Sequence, residues 1–322
     1  MRKLLVPVLT VGLVSVALVG CAAEDSAAPV GCERSGASDS AILDAIEVTG
    51  TFGSTPDVAA YTPIETTATM WRDVESGKGA ALTSDLQPAS LDLTFFSGDT
   101  GELAVPAGGS GTISTKMSMS ELDTVIPGLG ASLECAQAGT RVVTLLSPAD
   151  LDPATASGLG LTEGASAVVV IDVEKVYLAK ADGDDRFVVG AGLPSVVRAP
   201  DGRPGVTIPE GNAPSELRVE VLKHGKGETV EAGQTATLAY TALTWAEGTV
   251  FQTSWDSAPI AYPLVEGGIE GLTQALEGKS VGSQVLVIIP PELGFGDDAS
   301  IVPAGSTLVF VVDILGVDDT VS

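Results

Sequence analysis

Hydrophobic and polar residues alternate with a period of two along "TATLAYTALT" (235–244), the pattern of a strand with alternating faces. The runs "SQVLVIIPP" (283–291) and "STLVFVVDIL" (306–315) are almost continuously apolar, and turn residues bound them. Both read as strands, the second with Leu308, Phe310 and Val312 on one face. Upstream, Ile269, Leu272 and Leu276 fall at i, i+3 and i+7, one face of a short helix, with Gly278 just past its end. A mostly antiparallel sheet with one short helix packed on it is an α+β plan of half-barrel type.

The same pattern occurs twice. "VIPGLGASLECAQAGTRVVTLLSP" (125–148) lies over "GIEGLTQALEGKSVGSQVLVIIPP" (268–291) without a gap at an offset of 143, with eight identities that include Ile126/Ile269, Leu129/Leu272 and Leu133/Leu276. Downstream, "EGASAVVVIDVEKV" (163–176) matches "AGSTLVFVVDILGV" (304–317), and upstream "SGKG" (76–79) matches "HGKG" (224–227). Three blocks in the same order predict a tandem duplication. The expected organisation is a leader at 1–20, a flexible tether at 21–42, one half-barrel at 43–182, a linker at 183–211 and a second half-barrel at 212–319. The linker is rich in Gly, Pro and Asp, but its valines predict that part of it packs along the second half as an added strand.

Composition narrows the functions. Of 322 residues, 16 are Lys or Arg and 42 are Asp or Glu, for a net charge of −26. Such a chain is repelled by nucleic acid and by anionic lipid head groups. The first residues, "MRKLLVPVLTVGLVSVALVGC", place Arg2 and Lys3 before an apolar run over 4–19 that is too short for a stable membrane span. The residues ending at Cys21 resemble the bacterial lipobox, which implies cleavage before Cys21 and lipidation of its thiol. The body of the chain is then expected outside the cytoplasm, anchored to the cell membrane. An uncleaved anchor or an ordinary cleaved secretion signal is the alternative, and either also puts the body outside. In an oxidising compartment Cys32 and Cys135 are expected to pair, two buried free thiols being the alternative. A disulfide closing a loop of about 100 residues stabilises by about 4–5 kcal/mol in the chain-entropy view. Two cysteines and the single histidine, His224, do not make a zinc site of usual composition.

The stretch "PPELGFGDDASIVPAGSTLVF" (290–310) keeps a phenyl ring and an Ile-Val pair in a loop between strands. Apolar residues in such a loop point to an apolar ligand. With "GQTATLAYTALT", the turn "GTVF", "GIEGLTQALEGKSVGS" and the closing "PAGSTLVFVVDIL", it resembles the FKBP-type peptidyl-prolyl cis-trans isomerases over nearly the whole second half. The resemblance implies two tandem FKBP-like half-barrels, the first degenerate. It implies an isomerase that needs no cofactor or metal and acts on proline-containing segments of unfolded or exported proteins. Carried onto this sequence, the catalytic residues are Tyr240, Phe251, Gln252, Phe295 and Phe310. The substrate pocket is completed by Ile260, Ile269, Leu272, Ile301 and Val302.

Some positions depart from the family pattern. Gln252 stands where most active members have aspartate, Leu272 where a tryptophan is frequent, and Phe295 where a tyrosine hydroxyl donates to the substrate carbonyl. One hydrogen bond contributes about 1 kcal/mol, so the expected activity is modest. In the first copy Asp152 falls near the Phe295 position, Phe95 near Tyr240, and Leu103 or Val105 near Phe251. The second reading of the sequence is a membrane-anchored chaperone or proline-segment binding module without catalysis.

Overall fold

The computed structural model describes residues 32, 34, 40–106, 109–188, 190, 192–265 and 267–319. Cys21, the leader and most of the expected tether lie outside them. Within the first half, the chain runs α1 (Ala41–Asp44), β1 (Glu47–Thr49), β2 (Asp57–Ala59), β3 (Met70–Glu75), β4 (Pro88–Ser97), β5 (Thr112–Ser118), α2 (Met119–Val125), β6 (Arg141–Leu146), α3 (Pro153–Gly158) and β7 (Ala167–Val176). The second half continues with β8 (Asp184–Asp185), β9 (Ser195–Arg198), β10 (Pro204–Thr207), β11 (Arg218–His224), β12 (Thr235–Thr244), β13 (Val250–Thr253), β14 (Ile260–Pro263), α4 (Glu270–Leu276), β15 (Gln284–Ile289) and β16 (Leu308–Asp318).

Two antiparallel sheets result. The first has the order β3-β6-β7-β4-β5, and the second β8-β11-β15-β16-β12-β13, with β14 also on β12. Their registers correspond at the matched aspartates: Arg141 lies opposite Asp172, and Gln284 opposite Asp313. Each sheet buries its inner face against a helical segment. In the second half, Leu238, Tyr240, Val287, Phe310, Val312 and Ile314 meet Leu272, Ala275 and Leu276 of α4. Gly271 permits this closeness, because a Cβ there would sit 2.5 Å from Cγ2 of Ile289. The first half differs from the helix expected over Ile126–Leu133. Its helix α2 ends at Val125, and a single 3-10 turn follows at Gly130–Leu133. Pro127, Gly128 and Gly130 interrupt the run, which is the composition that ends helices.

The outer faces are also covered. Leu43, Ile46, Val48 and Val58 lie on Val143, Leu145, Val168 and Val170 of the first sheet. Val196, Val206 and Ile208 lie on Leu243, Leu286, Ile288, Val309 and Val311 of the second. Residues 183–211 are therefore not a free linker. They supply edge strand β8 and the hairpin β9–β10, which roofs the second sheet. The expected tether is likewise shortened. Cys32 is bonded to Cys135, 103 residues away, and the Arg34 guanidinium grips Asp73 at 2.6 Å and stacks 4.2 Å from the Trp71 ring centroid.

The halves are clasped through Asp318 at the end of β16. It accepts hydrogen bonds from Tyr177 Oη at 2.6 Å, Lys175 Nζ at 2.9 Å and Lys116 Nζ at 3.1 Å.

A buried aspartate ties each cover to its sheet, with different chemistry. Asp172 is ion-paired to the buried Arg141 at 2.6 Å, and Arg141 also donates to Gly50 O and Thr51 O in the β1–β2 turn. Asp313 has no such partner. It accepts from Gln284 Nε2 at 2.6 Å and from the Ala181 N–H at 2.8 Å, while Arg198 of β9 donates to Gln284 Oε1. Burial pushes the Asp313 carboxyl up to about 6 from 3.8, against the pull of those hydrogen bonds and the charges of Arg198 and Lys223. A carboxyl whose folded pKa is raised destabilises as it ionises, so its effect is absent below pH 4 and complete above pH 6. The stability of the wild type relative to Asp313→Asn is predicted to fall by roughly 3 kcal/mol between pH 4 and 7. Urea unfolding of both proteins across that range measures it; parallel pH profiles would contradict the assignment.

Candidate active site

The inner face of β12 presents Tyr240, and neighbouring residues fix its backbone. Tyr240 N–H donates to Ser254 Oγ at 2.9 Å, and Tyr240 O accepts from Ser254 N–H at 3.0 Å and from Thr253 Oγ1 at 3.0 Å. Strand β13 reaches β12 with a register shift: Leu243 pairs with Val250 and Ala242 with Gln252. Phe251 is the extra residue of this bulge. Bulges bend a strand and redirect a side chain, and here the Phe251 ring enters the half-barrel.

Phe310 of β16 forms the floor. Its ring centroid lies 6.0 Å from Tyr240 and 6.2 Å from Phe251, the latter edge-on at 87°. Phe295 closes the group from the loop after β15, 6.4 Å from Phe251 at 70°. These separations and tilts are those of favourable aromatic pairs. Pro290 and Pro291 stop β15, and a 3-10 turn at Pro291–Leu293 swings the chain back over the sheet. Gly296 has φ +58°, and its N–H bonds Pro291 O while its O accepts from the Gly305 N–H. That backbone favours glycine, and it holds Phe295 at the base of the loop.

Leu272 and Val302 are buried beside the rings, and Ile260 and Ile269 are half-buried against the same cluster. The structure thus brings together eight expected residues: Tyr240, Phe251, Phe295, Phe310, Ile260, Ile269, Leu272 and Val302. It leaves out two. Ile301 is 56% exposed and outside the cluster, because the loop turns Val302 inward instead. Gln252 is exposed and makes none of the ring contacts. Three further residues escape the sequence reading. Ser254 fixes Tyr240, Leu293 packs on the cluster, and Tyr262 Oη donates to Ile269 O at 3.1 Å and lies 3.0 Å from Thr273 Oγ1. Tyr262 was within reach, since it sits two residues from Ile260 on the same strand face.

Among the described residues, no ionisable carboxylate or amine belongs to this cluster. Glu270 beside Ile269, Glu292 beside Leu293, and Asp297 and Asp298 on the loop after Phe295 are all exposed. Hydrogen bonds from Ser300 hold the Asp298 carboxyl below its ordinary value. Asp256 is engaged by Arg203. The site is therefore an apolar cluster of linked aromatic rings, and suits an aliphatic ring rather than an ion.

Among the described residues, the first half brings together no matching group of rings. By sheet register Leu93 stands at the Tyr240 position and Val169 at the Phe310 position, so Phe95 lies two residues beyond its expected place, opposite Val169. The inward residue near the Phe251 position is Ala104, whereas Leu103 and Val105 are 38% and 50% exposed. Asp152 caps α3, accepting from the Ala154 and Thr155 N–H groups. Leu151, Ala156 and Leu161 from that loop fill the interior.

The sequence profile of the FKBP-type peptidyl-prolyl cis-trans isomerases matches residues 226–315. An FK506-binding protein of Streptomyces anulatus is 34% identical over 121 residues, covering 36% of this chain and 97% of that protein. The chain belongs to the FKBP family of peptidyl-prolyl cis-trans isomerases. A probable FK506-binding protein of Corynebacterium glutamicum is 30% identical over 114 residues, covering 35% of this chain and 97% of that one. The crystal structure of FkpA from Escherichia coli is similar at 28% identity and a TM-score of 0.31, covering 40% of this chain and 53% of that one. The matched residues 226–315 include every residue of the slot.

Core and slot separate by stability. Phe310 is 2% exposed, so Phe310→Ala is predicted to cost about 3–5 kcal/mol of unfolding free energy. Phe295 is half-buried on a loop, so Phe295→Ala should cost about 1 kcal/mol. Urea denaturation of the two variants decides it; equal losses would make Phe295 a core residue.

Proposed function

We propose that the slot formed by Tyr240, Phe251, Phe295 and Phe310 is the catalytic site, and that it turns prolyl bonds in exported protein segments at the outer face of the cell membrane. The observation that carries this reading is the meeting of Phe251, Phe295 and Phe310 in one apolar cluster that, among the described residues, includes no charged side chain.

The barrier to X–Pro rotation is ~20 kcal/mol because the planar amide is resonance-stabilised. Resonance is lost at the twisted transition state, where the C–N bond is nearly single and the amide is less polar. A dry pocket receives that state more readily than the polar planar amide, so the barrier falls by differential binding. In this reading Phe310 is the floor under the proline ring, Phe251 and Phe295 are the walls, and Ile269, Leu272 and Val302 exclude water. Nothing in such a reaction needs a nucleophile or a metal.

In the same reading the chain arose by tandem duplication, and the first half-barrel is a closed structural copy whose interior is plugged by Leu151 and Leu161. Lys116 and Lys175 of the first half both pair with Asp318 of the second. Support for export comes from the leader and the residues ending at Cys21, and the Cys32–Cys135 bond is of the kind that persists in oxidising compartments.

Two outcomes follow. Phe251→Ala and Phe295→Ala are each predicted to lower kcat/KM at least tenfold for cis-to-trans conversion of a proline-containing peptide; a chain that binds the peptide without turning it would replace catalysis by holding. Cys21→Ser is predicted to move the expressed chain from the detergent phase to the aqueous phase on phase partitioning. Unchanged partitioning would contradict lipidation at that residue.

A further inference from the structure

The segment between β13 and β14 serves two sides of the molecule. Phe251 and Ile260 at its ends belong to the slot, while Ser254–Pro259 between them forms one wall of a cavity of about 410 Å³ between the two halves. That volume is in the range of ligand sites, roughly 300–1,000 Å³. Leu86 of the first half, Ala179 and Lys180 of the connection, Asp201 of the β9–β10 turn, and Trp255 and Pro259 of the second half line it.

The walls are held in place. Gln87 Nε2 donates to Tyr177 O at 2.7 Å and to Ala81 O at 3.1 Å, and its Oε1 accepts from the Thr83 N–H at 2.7 Å, which fixes the loop carrying Leu86. Lys180 Nζ is occupied by Pro200 O at 2.5 Å, and Arg203 engages Asp256. Gly202 of the turn has φ +102°, and a Cβ there would lie 2.8 Å from Cβ of Lys180 and 3.1 Å from Cη2 of Trp255. The turn is thus pressed onto the indole.

One group in the lining lacks what it needs. Trp255 Nε1 is shielded from solvent and has no hydrogen-bond partner among the described residues. A buried donor left unpaired costs roughly 1–3 kcal/mol, and such groups are few in native proteins. Trp245 shows the usual outcome, its Nε1 donating to Gly211 O at 3.1 Å. The Trp255 side chain is only half-buried, so the indole can turn its N–H to an acceptor that enters the cavity.

Chain connectivity indicates where that acceptor comes from. Trp255 stands four residues after Phe251, so at most about 14 Å of extended chain separates it from the slot. A chain whose proline occupies the slot reaches the cavity within about five further residues. Leu86, Ala179 and Pro259 offer apolar contact and Lys180 is already engaged, so a neutral acceptor beside apolar side chains fits better than an anion. A polypeptide main chain supplies both.

We propose that this cavity is a second subsite for the substrate chain, taking the polypeptide that runs on from the proline in the slot, with Trp255 Nε1 donating to one of its main-chain carbonyls. The inference rests on the slot being the catalytic site. It makes the preferred substrate an extended segment rather than an isolated prolyl bond.

The test uses the full chain and two probes with the same X–Pro bond: a tetrapeptide, and an uncharged, leucine-containing peptide of about fourteen residues with that bond at its centre. In proton–nitrogen correlation spectra the Trp255 indole N–H signal, identified by its loss in Trp255→Phe, is predicted to move downfield with the long peptide and to stay in place with the tetrapeptide. The kcat/KM of the long peptide should exceed that of the tetrapeptide about tenfold. Leu86 is 36% exposed at the rim, so Leu86→Glu should leave the urea midpoint in place while reducing that ratio to about twofold. An unmoved indole signal, equal movement with both probes, or a ratio that Leu86→Glu does not change would each overturn the proposal. Movement on raising the protein concentration alone would assign the cavity to a second copy of the chain and overturn it as well. A wild-type chain that turns neither probe would overturn the catalytic reading, and the indole signal would then judge the cavity separately.

Discussion

The geometry of the second sheet depends on β16 being buried on both faces. From Leu308 to Val317 no residue of the strand is exposed to solvent. Phe310, Val312 and Ile314 face α4, while Val309 and Val311 face the cover made by residues 188–213. It pairs with β12 over ten positions and with β15 over six. A strand gripped from four directions cannot shift register without turning its apolar residues to the wrong face. Phe310 is thereby fixed, and the other rings are placed relative to it: Phe251 by a bulge on a strand paired to β12, and Phe295 by a glycine-hinged loop leaving β15.

The two halves show how little separates a site from a core on one scaffold. Strand order is shared, and the matched aspartates occupy corresponding ladder positions. Leucine and valine at the positions of Tyr240 and Phe310, alanine at the mouth and an inward-folding loop produce a filled interior. Aromatic rings around an open mouth produce a slot. Rings are stiff and flat, so they can stand apart with a gap between them, whereas branched aliphatics close up. The polar anchors differ as well. A buried Arg–Asp pair ties the first sheet to its cover, and a neutral glutamine takes the arginine's place in the second, leaving Asp313 with a raised pKa.

Much of this was legible in the sequence because it rests on periodicity. The alternation in 235–244 and the apolar runs at 283–291 and 306–315 became β12, β15 and β16, and the i, i+3, i+7 face became α4 with Gly278 after it. The phenyl ring in a glycine-flanked loop pointed to Phe295. The outer covers were not legible as covers: hairpins with strands of three or four residues carry too few positions to show a period. The misplacement of Phe95 has a similar cause. Within an apolar strand the register is set by the partner strand, here by Asp92 standing opposite Asp172, which one strand alone does not show. The exposure of Gln252 and Ile301 depends on the bulge at Phe251 and on which of two adjacent aliphatics a loop turns inward, and neither leaves a local signal.

The central claim is that one apolar slot in the second half both receives and turns a prolyl bond. The most direct measurement is two-dimensional NMR exchange spectroscopy on the full chain with a short proline-containing peptide, following the peptide's cis and trans signals together with the aromatic resonances of the protein. The account predicts accelerated cis–trans exchange, with shifts confined to Tyr240, Phe251, Phe295, Phe310 and their neighbours, and none at Phe95 or Trp71. Accelerated exchange with shifts centred on the first half-barrel, or shifts at the rings without acceleration, would contradict it.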